Sequence, residues 1–253
     1  MLKTRVIPCM LYNGMHIVKT TQFEEMRTLG NPVQYAKVYD SRNVDELIFI
    51  DLTATEEKRK FDLETIRNVM LECFMPVTIG GGIKNINDIT NLLKIGADKV
   101  CFNTVAIENP KFITETAKKF GSQCIVVSID AKKNNKDHYV FKNRGKINTG
   151  KKVIDWAKKV EKLGAGEIFL TSIDQDGTMT GYDLQLIKKV SSAVSIPVIA
   201  CGGAGKVQDI IDAVKIGEAD AISLSSMFHY SGYTANNIKE GMIRAGINVR
   251  VIK

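Results

Sequence analysis

The chain has 253 residues, 44% of them hydrophobic, and only five prolines; this excludes a disordered chain and leaves one large α/β domain or two small ones. No apolar run reaches the ~18 residues of a membrane-spanning helix, and nothing reads as a signal peptide, so a cytoplasmic protein is expected. The net charge of +7 suits an anionic small molecule as well as nucleic acid, but no nucleic-acid motif accompanies it, so neither nucleic acid nor a membrane is expected as a partner.

Eight strand-like apolar runs follow one another: RVIPCML (5–11), ELIFIDLT (46–53), PVTIGG (76–81), KVCFNT (99–104), CIVVSID (124–130), EIFLTSID (167–174), PVIACGG (197–203) and AISLSS (221–226). Amphipathic stretches of helical spacing lie between most of them, at 62–73, 85–96, 109–121, 152–164 and 182–193, and several end in glycine. The runs are apolar on both faces, as strands of a parallel sheet covered by helices are. The pattern predicts an α/β fold, a (βα)8 TIM barrel, with a doubly wound open sheet as the rival. Pro8 fits poorly inside a closed sheet and predicts a bulge or a strand start.

The two halves repeat. Glu46 and Glu167 are 121 positions apart, as are Gly81 and Gly202, and Asp98 and Asp220 are 122 apart. One domain over 1–253 is therefore expected, built of half-barrels at about 1–121 and 122–253. On the same offset Leu11 stands opposite Asp130, so one half ends its first strand on leucine where the other ends on a carboxylate. Gly-rich turns after the third and seventh strands, each followed by an Asn/Thr or Ser turn, make two anion cradles that together suit a ligand with a phosphate at each end.

The cysteines, Cys9, Cys73, Cys101, Cys124 and Cys201, are odd in number and form no C-x-x-C pair, so reduced thiols are expected and a zinc site is not. The basic segment 132–152 reads as a loop or hairpin, either solvated or a rim that draws in phosphate-bearing substrates. No metal or organic cofactor is expected.

Motifs in order along the whole chain (RVIPC, DELIFIDLTA, TIGGGI, GADKVCFNT, VVSIDAK, GAGEIFLTSIDQDGT, ACGGAGK, GINVR) resemble the cyclase subunit of imidazole glycerol phosphate synthase, the HisF family. The resemblance implies a lyase-type barrel that works in a glutamine amidotransferase complex. A glutaminase (HisH-like) subunit docks on one face, and ammonia crosses the barrel to a two-phosphate substrate at the other. By matching positions, it implies an ammonia gate of Arg5, Glu46, Lys99 and Glu167, which as residues alone read equally as a salt-bridge layer closing the floor. It implies that Asp98 faces the partner and that Lys19 lies in a first loop that closes on substrate. Phosphate ligands would be Gly82, Asn103 and Thr104 on one side and Asp176, Gly177, Gly203 and Ser226 on the other, with Ser225 where the family usually has a small apolar residue. Asp130 matches one catalytic aspartate.

The other catalytic aspartate is replaced by Leu11, and residues 10–20 hold no carboxylate. Leucine moves no proton, and losing one member of a cooperating pair costs orders of magnitude in rate. Gate and cradles kept beside a lost acid resemble the HisF-like branch that serves acetamidino modification of bacterial surface sugars, with a sugar amidotransferase as a further partner. That reading is the expectation. The alternatives are the histidine-biosynthesis cyclase itself, with Asp51, Asp174 or Asp176 as spare acids or His16 as a replacement base, and a non-catalytic channel that activates the glutaminase. The related half-barrel isomerase would not need the gate. Trp156 is expected in the core or facing a partner.

Overall fold

In the computed structural model, residues 3–251 are described; the outer ends of the expected half-barrels, at 1 and 253, lie outside them. Twelve strands occur among these residues: β1 (Arg5–Tyr12), β2 (Ile17–Thr21), β3 (Glu25–Gly30), β4 (Leu47–Asp51), β5 (Val77–Gly80), β6 (Lys99–Phe102), β7 (Ile125–Asn134), β8 (Asp137–Lys142), β9 (Ile147–Lys152), β10 (Glu167–Ser172), β11 (Val198–Cys201) and β12 (Ala221–Leu224). Eight of them, β1, β4, β5, β6, β7, β10, β11 and β12, pair in parallel, and the β10–β7 pairing closes the ring. This is a TIM barrel, so the open-sheet rival is excluded.

Each of the eight expected runs supplies one barrel strand. The amphipathic stretches become the helices Leu63–Met70, Ile86–Lys94, Lys111–Phe120, Val153–Lys162 and Leu184–Ser191. Their starts are written locally: Asp62 and Asp183, 121 residues apart, each cap a helix by accepting from the backbone N–H three residues on, at 3.0 and 2.9 Å. Helices at Pro32–Ser41, Val207–Lys215 and Ala235–Arg244 complete the outer layer.

Two apolar cores result from the period-two alternation of the strands. The larger lies between strands and helices. The smaller fills the barrel with Ile7, Cys9, Ile48, Cys101, Val126, Phe169, Ile199 and Ala221. Fully burying one such Ile or Val contributes roughly 1.5–3 kcal/mol. All five cysteines are free thiols. Trp156 is 2% exposed and belongs to the outer core, so it presents no surface to a partner.

Pro8 sits neither at a bulge nor at a strand start. It is the last residue of β1 in register with β12, and Cys9 is the first in register with β4. The missing N–H donor falls where the ladder changes neighbour, so the closed sheet tolerates it.

The four remaining strands form two hairpins. The β2–β3 hairpin extends from β1 through antiparallel pairing at Leu11↔Val18, and the β8–β9 hairpin extends from β7 at Asp130↔Phe141. The basic segment thus belongs mainly to β8 and β9, and the first loop is itself an antiparallel hairpin. Each half of the chain opens with a strand, carries a hairpin from it, and continues with three more barrel strands.

Candidate functional site

At the N-terminal end of the barrel the strands begin on charged residues that face inward. Arg5 Nη1 lies 2.8 Å from Glu46 Oε1 and 3.0 Å from Glu167 Oε1. Lys99 Nζ lies 3.1 Å from Glu46 Oε2 and 3.1 Å from Glu167 Oε1. Two cations and two anions alternate in a closed ring whose side chains are only 11–21% exposed. The glutamates are repeat-related, while the counterpart of Lys99 is Ala221. Asp98 is exposed beside this ring, and its carboxylate accepts from Val77 N at 2.8 Å. Asp220 does the same for Val198 N at 2.9 Å, so this aspartate pair anchors the start of a neighbouring strand in each half.

At the opposite, C-terminal end a cavity enclosing about 940 Å³ of non-protein space, part of it open to solvent, is lined by Leu11, Gly82, Asn103, Thr104, Asp130 and Ser225, among others. Asp130 is half-buried at the end of the inward-facing row of β7. Its Oδ2 accepts from Asn103 Nδ2 at 2.7 Å, and its Oδ1 from the Ser128 hydroxyl at 3.1 Å. Burial pushes the Asp130 carboxyl up to about 6; those two hydrogen bonds pull against the rise, and the charge of Asp176 adds to it. Leu11 and Asp130 hold equivalent places: Leu11 is in register with Ile50 on β4 and Asp130 with Thr171 on β10, and Ile50 and Thr171 are themselves 121 apart. The cavity thus has a carboxylate on one side of its pseudo-two-fold axis and an aliphatic side chain on the other.

The first-half turn after β5 is shaped by glycine. Gly81 has φ +87°, and a Cβ there would lie 1.9 Å from the carbonyl oxygen of Asp51. Gly82 N donates to the Thr55 hydroxyl at 3.2 Å and borders the cavity beside Asn103 and Thr104. The Asn103 Oδ1 and Ser225 Oγ atoms are buried without a hydrogen-bond partner, each a polar atom at the cavity wall that a bound ligand would satisfy.

The second-half set is not gathered in the same way. Asp176 and Ser225 border the cavity, whereas Lys19 and Gly177 line a second pocket with Arg27 and Tyr230. Gly203 and Ser226 line neither and are buried. The β2–β3 hairpin lies over Asp176 and Gly177, where the Thr20 hydroxyl donates to Asp176 Oδ2 at 2.8 Å and Lys19 Nζ to Gly177 O at 3.2 Å, while Gly203 O accepts from Gly181 N at 2.8 Å. Burial lowers the Lys19 ammonium and raises the Asp176 carboxyl; hydrogen bonding from Thr20 holds that rise back.

Of the spare acids, Asp51 lines the cavity, but Arg59 grips both its oxygens at 2.9 Å, and it also accepts from the backbone of Thr53 and Ala54. Asp174 accepts from Lys133 N at 2.7 Å. Both tie loops in place. His16 lies in the β1–β2 turn, where its backbone bonds Asn13, and it does not border the cavity. Arg59, Ser128, Phe23 and Arg144 belong to the site region without having been singled out in the sequence; only Arg144 carried a signal there, within the basic segment.

The model of a family described as "Histidine biosynthesis protein" matches residues 5–234. Proteins named "Imidazole glycerol phosphate synthase subunit HisF" from Lactococcus lactis subsp. cremoris strains MG1363 and SK11 are each 46% identical, over 100% of this chain and 98% of their own. The protein of the same name from subsp. lactis strain IL1403 is 45% identical over the same shares. The chain belongs to the HisF family. At the mouth of this barrel Leu11 and Asp130 both line the cavity. Among the described residues, no helix is long and apolar enough to cross a membrane.

Proposed function

We propose that this chain is the ammonia-accepting synthase subunit of an imidazole glycerol phosphate synthase, acting in the cytoplasm on a ligand with a phosphate at each end, with Asp130 as its acid–base residue. The observation that carries the reading is Asp130 itself: a half-buried carboxyl pushed up to about 6, between Asn103 and Ser128, at the cavity wall. A carboxyl in that range is mostly ionised near neutral pH and still exchanges protons readily, which suits removal and return of a proton as ammonia adds to an imine and a ring closes. Gly82, Asn103 and Thr104 hold one phosphate, and Gly177, Gly203 and Ser226, with Lys19, hold the other once the β2–β3 hairpin adjusts. The whole chain is one barrel of two half-barrels.

A glutaminase docks on the ring side in this account, and Arg5, Glu46, Lys99 and Glu167 form the entry. Above the ring the interior is apolar, with Ile7, Ile48, Val126, Phe169 and Ile199. A neutral ammonia molecule passes such a lining far more readily than ammonium, whose desolvation is costly. Bridging Glu46 and Glu167 by two cations keeps the ring closed until a partner displaces one of them.

Leu11 favours a second reading: the barrel receives ammonia but no longer closes the histidine-pathway ring, and serves acetamidino modification of a surface sugar beside a sugar amidotransferase. The relatives carry the histidine-pathway name and lend that finer reading no support. Supplying the histidine-pathway substrate with ammonium salt to wild type and to Leu11→Asp separates the two readings: turnover by wild type supports the first, and turnover by Leu11→Asp alone supports the second.

A further inference from the structure

Two hairpin tips, one from each half, meet above the cavity. Gln22 and Phe23 in the β2–β3 turn have φ of 51° and 65°, and Asn143 and Arg144 in the β8–β9 turn have 51° and 54°. Each pair is 121 positions from the other. Left-handed backbone at a non-glycine residue costs on the order of 1 kcal/mol, so such tips persist where other bonds hold them. The first tip is held against the second half: Gln22 N donates to Asp176 O at 2.9 Å and Gln22 Nε2 to Asp174 O at 2.9 Å.

The second tip reaches back with one side chain. Arg144 Nε and Nη2 donate to Phe23 O at 3.2 and 3.0 Å, and Nη2 also donates to Glu24 O at 3.0 Å. Nη1 makes no hydrogen bond among the described residues; Glu56 Oε2 lies 3.7 Å from it, and Glu56 is also paired with Lys146. The Arg144 side chain is 15% exposed and, like Phe23, borders the cavity. Two neutral carbonyls are weak partners for a guanidinium, which pairs best with the planar or tetrahedral oxygens of a carboxylate or phosphate. The arrangement leaves a donor edge beside the cavity on the side chain that also fastens its lid.

We infer that Arg144 couples binding of an anionic ligand to closure of the β2–β3 hairpin, its Nε and Nη2 holding the hairpin tip while Nη1 takes a ligand oxygen. Arg144 is thus a positioning residue for the site, and it makes the second hairpin, not only the first, part of the closure. The inference rests on the reading of the cavity as a phosphate-ligand site.

Amide hydrogen exchange at Gln22 and Glu24 tests it, in wild type, Arg144→Ala and Arg144→Lys, with and without titrated inorganic phosphate. Without phosphate, Arg144→Ala is expected to exchange about tenfold faster at both amides, the scale of losing one charge-assisted hydrogen bond, while amides of β10 stay as in wild type. Phosphate is expected to slow exchange further in wild type and to bind Arg144→Ala about tenfold more weakly without protecting the tip. Arg144→Lys keeps the charge but cannot span Phe23 and Glu24, so it is expected to hold phosphate within a few-fold and still lose tip protection. Unchanged exchange at Gln22 and Glu24 in Arg144→Ala overturns the latch. Equal phosphate affinity and equal protection in wild type and Arg144→Ala overturn the coupling. Lack of phosphate binding by wild type sinks the ligand reading and the coupling together, while the phosphate-free comparison still decides the latch.

Discussion

In the proposed reading Asp130 carries the chemistry because of where its strand puts it. Its folded pKa is raised above the unfolded value, so the folded protein binds a proton more tightly than the unfolded chain between about pH 4 and 6. The sign follows: stability is greatest below the unfolded pKa and falls as pH rises through about 6, after which the buried charge costs about 2–3 kcal/mol. Asp130→Asn is therefore expected to unfold at higher urea than wild type at pH 8 and to lose that advantage near pH 4. The same variant is expected to lower turnover by at least about a hundredfold, and wild-type turnover is expected to rise with pH through about 6. Asp130 was readable from the chain as an acid closing an apolar run. Its raised pKa was not, since desolvation in the closed barrel causes it, and the opposing bond from Asn103 and the added charge of Asp176 come from other parts of the sequence. The exclusion of Asp51 and Asp174 as free acids was equally hidden, because their partners, Arg59 and Lys133 N, are fixed only by loop geometry.

At the scale of elements, the Gly-rich turns and the hairpins shape the mouth. Gly81 is held at positive φ with Asp51 O where a Cβ would stand. Gly81→Ala is expected to cost about 2–4 kcal/mol in urea unfolding, from strain and from backbone that must move, and to displace Gly82 and Thr55 from the cavity wall. The turns were legible because glycine at strand ends has few other uses. Of the hairpins only the second was legible, as a loop or hairpin in the basic segment 132–152. IVKTT is short and buried over four of its five residues, EMRTLG is half exposed without strict alternation, and INTGKK is almost wholly exposed, so period-two patterning is faint.

Across the whole molecule, the barrel joins a charged floor to a mouth where Asp130 has Leu11 as its repeat counterpart, and the repeat explains which parts are duplicated and which diverge. Eight apolar runs and a near-constant offset made the closed architecture legible; the ladder at Pro8 was not, because it depends on the stagger between β12 and β4. The floor ring is expected to act as a unit. Lys99→Met leaves two glutamates sharing Arg5, and a stability loss of about 1–3 kcal/mol is expected in thermal or urea unfolding, less than for a fully buried pair because the ring is partly solvated. Turnover with added ammonium salt is expected to change little in Lys99→Met, while turnover driven by a glutaminase partner falls; equal loss in both would assign the ring a purely structural role.

The most direct test of the central claim is the ammonia-dependent cyclisation assay, run on wild type beside Leu11→Asp with the histidine-pathway substrate and ammonium salt at alkaline pH. The account predicts turnover by wild type, raised at least about tenfold in Leu11→Asp, because a second carboxylate opposite Asp130 restores a cooperating pair. Silence of folded wild type would contradict it: turnover by Leu11→Asp alone would favour the second reading, and silence in both would show that the cavity does not serve this ring closure.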